Sequence, residues 1–425
     1  MTAATTTADV KVKRRATAEE RRARITGVVL ILLAAFVLWA FGLNVDGDLD
    51  ATFRLARPTA RFTDIDWVVN SQLLGFIVAA ILAFLGGRQL RTTNFKWTNA
   101  SIAVAMGLFA LAFLGWAAAG QSFSLVGMLR STVLLSVPVT LGALTGLMSE
   151  RVAIINIGIE GQLLTAAFVA VILGSAFNIW VALLGAILAG GILGWVLAVL
   201  SIKYRVDQII AGVAINIFAL GFTSFMASRV LSDSQSLNAP GRISAHAIPL
   251  LSDIPLLGPV FFDHSLFVYG MFGLVVLVHL ALFYTRWGLR SRSVGEHPKA
   301  ADTMGIDVFR TRYINTILGG FIAGFGGAFL TLSQVARFEE NLTAGVGFIG
   351  LAAMIFGRWR PFGVLAAGLV FGFARALQTK LGLLGTPVPS EFLLMIPYIV
   401  TIIVVAGLVG HARPPAADGQ PYIKQ

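Results

Sequence analysis

A carboxylate and two amides interrupt a long apolar stretch of this chain. After Ser149-Glu150-Arg151, the run Val152-Ala153-Ile154-Ile155-Asn156-Ile157-Gly158-Ile159-Glu160-Gly161-Gln162 sets these polar side chains between hydrophobic segments. A charged carboxylate deep in a membrane helix costs roughly 2.5–3.5 kcal/mol on insertion scales, so such groups face a bundle interior or a wet cavity. On a helix starting near Asn156, that residue and Glu160 lie four apart and share a face. Gly158 and Gly161 would let a neighbouring backbone come close. Two readings stand at this point. One is a broken helix lining a solute pathway, because irregular backbone at membrane depth survives only where protein covers it or a cavity adjoins it. The other is a tight turn at the membrane surface with a capping Glu.

Further polar residues sit in apolar surroundings. Asp207 opens Val206-Asp207-Gln208-Ile209-Ile210-Ala211-Gly212, where a carboxylate in a first helical turn suits the helix dipole. Asn216 falls inside the next apolar run and faces either a helix neighbour or the pathway. Gln334 begins a polar, Gly-rich stretch that reaches Gly347 and holds Arg337, Glu339, Glu340 and Asn341. The candidate pathway residues are therefore Asn156, Glu160, Gln162, Asn216 and Gln334.

The elements that must position them are membrane helices. The chain has 425 residues, 57% of them hydrophobic and only 12% charged, with a mean hydropathy of +0.82; globular domains carry about a quarter charged residues. It has no cysteine, which excludes disulfides and thiolate metal sites. The net charge of +11 could suggest nucleic acid. The basic residues, however, flank apolar runs in short segments, as they do where charge sets membrane topology, so no nucleic-acid partner is expected and the surrounding partner is lipid.

Residues 1–24 read as a disordered basic cytoplasmic tail, and 25–43 as a retained anchor rather than a cleaved signal. Further runs at about 68–87, 101–119 and 131–148 each approach the ~20 residues needed to cross a bilayer. Runs at 159–174, 179–200, 207–229, 266–285, 313–335, 346–357, 361–379 and 391–409 follow. The expected fold class is an all-α polytopic membrane protein of about twelve transmembrane helices, some broken or half-length, with both termini cytoplasmic. Residues 25–124 hold extra N-terminal helices, 125–410 the core, and 411–425 a C-terminal tail. The long segment 231–265, with four prolines, reads as an external loop. The glycine-rich, amide-bearing stretches near 156 and 341 each precede a shortened apolar segment, one starting inside and the other outside, which is the pattern of an inverted repeat.

The segment 286–312 is the most polar internal one. Pro298 suits the first turn of a short helix at about 298–304 and Gly305 its end. Such a helix between two spans can serve as a lever for a soluble partner or lie inert on the surface. Gly345-Val346-Gly347-Phe348-Ile349-Gly350 matches a dinucleotide fingerprint but lacks the strand and βαβ context. Gly190-x-x-x-Gly194 and Gly320-x-x-x-Gly324 read as helix-packing faces. No phosphate-binding G-x-x-x-x-G-K-[ST] occurs, the five histidines show no ligand spacing, and catalysis has no visible home.

Three ordered motifs carry a resemblance. Val139-Thr140-Leu141-Gly142 through Ser149-Glu150-Arg151 to Glu160-Gly161, then Val206-Asp207-Gln208, then Val294-Gly295-Glu296-His297-Pro298-Lys299-Ala300-Ala301-Asp302-Thr303-Met304-Gly305, resemble the permeases of bacterial ABC importers in the branched-chain amino acid and simple-sugar class. Over residues 125–410 they are most similar to the second of the paired permeases of nucleoside importers. The resemblance implies an inverted-repeat permease core and a transport subunit rather than an enzyme. It implies a related but different permease chain as partner, two ATP-binding subunits carrying ATP and Mg, so that this chain needs no cofactor, and an extracytoplasmic solute-binding lipoprotein. It assigns Gly295, Glu296, Pro298, Ala300, Ala301 and Gly305 to a segment coupled to the ATPase; His297 stands where the family often has Asn. The implied location is the plasma membrane of a bacterium and the implied substrate a nucleoside, with simple sugars or branched-chain amino acids as the alternative. An ion-coupled carrier using Glu160 is the other alternative.

Overall fold

A computed structural model of the chain describes residues 18–55, 66–92, 95–384, 391–392, 395, 399 and 413–424. These fall into two units that divide between Phe123 and Ser124. The first contains α1 (Ala18–Val37), α2 (Ser71–Thr92) and α3 (Phe95–Ala117). Glu19 and Glu20 occupy the first turn of α1, where acidic side chains favour a helix start. Residues 18–24, expected in the tail, are therefore helical, and Arg21, Arg22 and Arg24 ride on α1.

The described residues are mostly helical, as expected, and also carry a small sheet. Strands β1 (Asp50–Arg54), β2 (Asp66–Asn70) and β3 (Ser122–Ser124) lie in the order β2-β1-β3, with Phe53 paired to Trp67 in the antiparallel register. Ala51 and Phe53 point inward while the ends of β1 are exposed, the period-two alternation of a half-buried strand. The core of this unit gathers Leu30, Val37, Phe41, Val78, Leu82 and Ala105.

The second unit runs through α4 (Leu125–Glu150), α5 (Ile159–Ala176), α6 (Ile179–Ala198), α7 (Gln208–Met226), α8 (Leu257–Phe261), α9 (Leu266–Tyr284), α10 (Arg286–Glu296), α11 (Pro298–Thr303), α12 (Val308–Phe329), α13 (Val346–Phe356) and α14 (Pro361–Leu384). Helix α4 is buried along most of its length, and Val137, Leu141, Leu144, Phe267, Phe329 and Met354 pack into one core around it. The small-residue faces are used as read. A Cβ on Gly190 would strike Gly320 O and the Gly324 backbone, and one on Gly194 would meet Thr316 O at 2.8 Å, so α6 and α12 cross at backbone contact.

Ten helices among the described residues are long and apolar enough to cross a membrane, and Val346–Phe356 is a shorter apolar one. The expected closing span 391–409 lies outside the described residues. The segment 231–265 is more structured than a loop. Strands β4 (His246–Ala247) and β5 (Asp263–His264) pair antiparallel beside α8, and Ile243 N donates to Leu332 O at 2.7 Å.

Candidate functional site

Helix α4 ends at Glu150, and the chain turns through residues 151–158 before α5 begins. Most of this first break is covered: Val152, Ala153, Ile154 and Asn156 have no exposed surface, while Arg151, Ile155 and Ile157 are half-buried. Ala153 takes a φ of 65°, which bends the backbone out of helical register. Irregular backbone buried among apolar helices needs polar partners, and α7 provides them. Ile155 N donates to Gln208 Oε1 at 2.7 Å. The Asn216 amide donates to Ile157 O at 2.9 Å and accepts from Gly161 N at 2.8 Å. Asn216 therefore clamps the break as a helix neighbour, with both ends of its amide spent on backbone. Asp207 caps α7 by accepting from Ile209 N and Ile210 N at 2.9 and 3.1 Å.

Asn156 and Gln162 face each other across the break at 3.4 and 3.5 Å, and Asn156 Nδ2 also reaches Ser149 Oγ at 3.4 Å. Both amides are fully buried, and Glu160 is 8% exposed.

The second break, residues 335–345, precedes α13. Its backbone turns through positive φ at Ala336, Asn341, Ala344 and Gly345. Asn238 holds it as Asn216 holds the first: Phe338 N donates to Asn238 Oδ1 at 2.7 Å, and Asn238 Nδ2 donates back to Phe338 O at 3.1 Å. Helix α13 has 11 residues, about 16 Å at 1.5 Å per residue, which is about half the hydrocarbon thickness.

The two breaks meet at one carboxylate. Glu160 Oε1 accepts from Gly345 N at 2.7 Å, and Oε2 accepts from Gly347 N at 2.6 Å. A carboxylate from the first turn of α5 thus caps the N-terminus of α13, where unpaired N–H groups and the helix dipole favour negative charge. A Cβ on Gly347 would lie 2.6 Å from the Glu160 backbone, and one on Gly350 would lie 3.0 Å from Ala143 N. The apparent dinucleotide fingerprint is therefore a set of close approaches: Gly345 supplies the left-handed turn at φ 82°, and Gly347 and Gly350 admit neighbouring backbone.

Gln334 lies apart from this cluster. It is exposed and lines a cavity of about 620 Å³ with Arg130, Arg242, His264, Ser333 and Lys380, a volume ordinary for a small-molecule site. The five candidate residues thus separate into four at the first break and one at the opposite ends of α4 and α12.

The segment after α9 folds as expected from its proline. Pro298 occupies the first turn of α11, and Gly305 follows it with φ 81°. His297 Nδ1 accepts from Ala300 N at 3.1 Å, so the ring nitrogen performs the N-capping that Asn offers elsewhere. Glu296, Ala300 and Gly305 are exposed, but Gly295 and Ala301 are buried. A Cβ on Gly295 would strike Arg151 O, and Ala301 packs with Val294 and Val308. These two anchor the segment from beneath, and the outward face also carries Met304, 81% exposed.

Several contacts had no signal in the sequence beyond residue type. Trp359 Nε1 donates to Glu150 Oε2 at 2.6 Å, and Arg151 Nε donates to Trp359 O at 3.0 Å. Both join the end of α4 to the turn before α14.

A family profile described as "Branched-chain amino acid transport system / permease component" matches residues 128–405. The chain belongs to this permease family. It is similar to the guanosine ABC transporter permease protein NupQ of Bacillus subtilis, 40% identical over 69% of this chain and 95% of that protein. It is similar to the nucleoside ABC transporter permease protein NupC of Lactococcus lactis, 37% identical over 68% of this chain and 94% of that protein. It also resembles a second guanosine ABC transporter permease protein of B. subtilis, NupP, at 28% identity over 64% of this chain and 77% of that protein. No solved structure matches the chain. It is a multi-pass membrane permease subunit of an ABC importer, and the matched region begins after the N-terminal unit.

Proposed function

We propose that this permease forms half of a translocation pathway for a nucleoside, with the two broken helices as its moving parts. The observation that carries the reading is the Glu160 carboxylate on Gly345 N and Gly347 N, which joins the helix after the first break to the short helix after the second, and interrupted helices that meet line the substrate paths of repeat-built transporters. The similarity to NupQ and NupC supports a nucleoside as solute. Buried amides at Asn156 and Gln162 offer donors and acceptors for a neutral, aromatic solute once the break moves.

The basic segment 286–312 is assigned to the cytoplasm by its six basic residues, Arg286, Arg290, Arg292, Lys299, Arg310 and Arg312, and both termini share that side. The exposed face of α11, with Met304, Ala300 and Glu296, then meets one of two separate ATP-binding subunits, where ATP and Mg reside. The cavity around Gln334 opens on the other side, toward an extracytoplasmic solute-binding lipoprotein. Similarity to both NupQ and NupP, stronger to NupQ, supports pairing with a related but different permease. ATP binding on the partners pushes α11, and the push biases the permease between outward and inward openings. An ion-coupled carrier has less support, because both Glu160 oxygens are taken by backbone N–H groups.

The test is uptake of labelled nucleosides, simple sugars and branched-chain amino acids by the full complex in proteoliposomes. ATP-dependent nucleoside uptake is the expected result. Uptake of only sugars or amino acids, or uptake that persists without the ATPase, overturns the proposal.

A further inference from the structure

The last described residues, 413–424, do not trail from the core but lie across it. Ala417 N donates to Gly295 O at 3.0 Å, and Ala416 N reaches Glu296 Oε2 at 3.3 Å, so the tail binds the end of α10. Lys424 Nζ stands 3.9 Å from Asp302 Oδ1 on α11. The same tail grips the start of α12: Arg312 Nη1 donates to Gln420 O at 3.2 Å, and the Tyr422 ring lies 5.4 Å from that of Phe309, with Tyr422 only 6% exposed. Between these grips, Gly419, at φ 74°, passes so near the first break that a Cβ would lie 2.8 Å from Ile155 Cδ1. Asp418 faces Glu150 at the end of α4 and Arg312 on α12.

Ten residues therefore touch α10, α11, α12, the end of α4 and the break beside Asn156. A chain end that was merely packed would need one neighbour, and nothing in its sequence would require backbone bonds to the segment that leads into α11. We propose that residues 415–424 are a strap that makes the ATPase-facing segment, the base of α12 and the first break move as one body, so that displacement of α11 reaches the broken helix. This rests on the reading of α11 as the ATPase contact. Direct links from α10 to the core also exist: Asn315 Nδ2 donates to Ser291 Oγ at 3.1 Å, and Gly295 lies against Arg151 O at the start of the break. The strap alone among these contacts also touches Ile155.

The experiment compares three variants of the full complex in proteoliposomes, each read as uptake per ATP hydrolysed. A chain ending at Arg413 should assemble and hydrolyse ATP while uptake per ATP falls at least about tenfold. Met304→Asp, which alters the exposed face of α11 and leaves the strap intact, should uncouple as well. If Met304→Asp uncouples and the truncation does not, the strap is overturned and the coupling reading survives; if neither uncouples, the coupling reading itself fails. Because truncation could impair folding, an Asp302→Cys and Lys424→Cys pair is placed in this cysteine-free chain. A flexible bis-maleimide, which spans the length of the two lost side chains as a disulfide cannot, should bridge the pair in high yield with uptake unchanged, since strap and segment travel together. Failure to cross-link, or loss of uptake on cross-linking, overturns the proposal.

Discussion

Glu160→Gln is the perturbation that most sharply probes the junction of the two breaks. In the native protein each carboxylate oxygen accepts one backbone N–H, at 2.7 and 2.6 Å, in a site where Glu160 is 8% exposed. Hydrogen bonds to charged groups are worth about 1.5–3 kcal/mol each. The amide keeps one acceptor and turns its NH2 toward the other N–H, so one bond is lost and two donors confront each other. The expected cost is about 2–3 kcal/mol for Gln, and about 3–6 kcal/mol for Ala, which leaves both N–H groups without a partner. Gly347→Ala attacks the same contact sterically, since its Cβ would lie 2.6 Å from the Glu160 backbone. The assay is thermal unfolding of the purified permease followed by uptake in the reconstituted complex. Glu160→Gln should lower the apparent Tm and reduce uptake while the ATPase stays bound. Combining it with Gly347→Ala should give less than the sum of the two losses, because both act on one contact. Unchanged Tm and uptake in Glu160→Ala, or strict additivity in the double variant, would refute the junction.

Asn216→Ala removes both clamps on the first break and should destabilise by about 1–3 kcal/mol for each orphaned backbone group, and Asn216→Asp, which keeps the bond from Gly161 N but turns a second acceptor toward Ile157 O, should destabilise as well; melting of the two variants checks both losses. His297→Asn should preserve uptake per ATP because Asn caps α11 equally, and His297→Ala should lose about 1 kcal/mol of local helix stability, read as faster hydrogen exchange over 298–303. Burial holds the Asp418 carboxyl up at about 6, against an ordinary 3.8, although the Gly419 N–H and Arg312 pull it down and Glu150 faces it. A raised carboxyl pKa means that the docked strap binds the extra proton. Docking is therefore tightest below about pH 4 and weakens as pH rises through 6. Hydrogen exchange over 415–424, corrected for its intrinsic pH dependence, should speed up across that window, and Asp418→Asn should flatten the profile.

The sequence disclosed the breaks because polar side chains inside apolar runs demand partners, and Asn156, Glu160, Gln162 and Asn216 do assemble at one place. It could not say which partners. Glu160 sits next to Gly158 and Gly161 in sequence, but its bonds go to residues 185 and 187 positions away, a distance that no periodicity reports. The context around Gly345-x-Gly347 already argued against a nucleotide motif, but nothing in the sequence named Glu160 as its neighbour. Gln334 shared the polarity of the other four but not their location: it lines the cavity with Arg130, Arg242 and Lys380. The helix at 298–303 was legible from Pro298 and Gly305, whereas the inward turn of Gly295 and Ala301 was not, since a short helix does not reveal which face it buries. The strap was invisible: residues 413–424 have no apolar period, and their bonds run mostly through backbone N–H and C=O groups that every sequence possesses.

The account is tested most directly by a single cysteine in place of Met304 in this cysteine-free chain. With the permease in closed, right-side-out vesicles, a membrane-impermeant thiol reagent should label that cysteine only after the vesicles are opened, and bound ATPase should shield it. Labelling from the outside of intact vesicles, or labelling unaffected by the ATPase, would contradict the claim that this face is where the motor drives the broken helices.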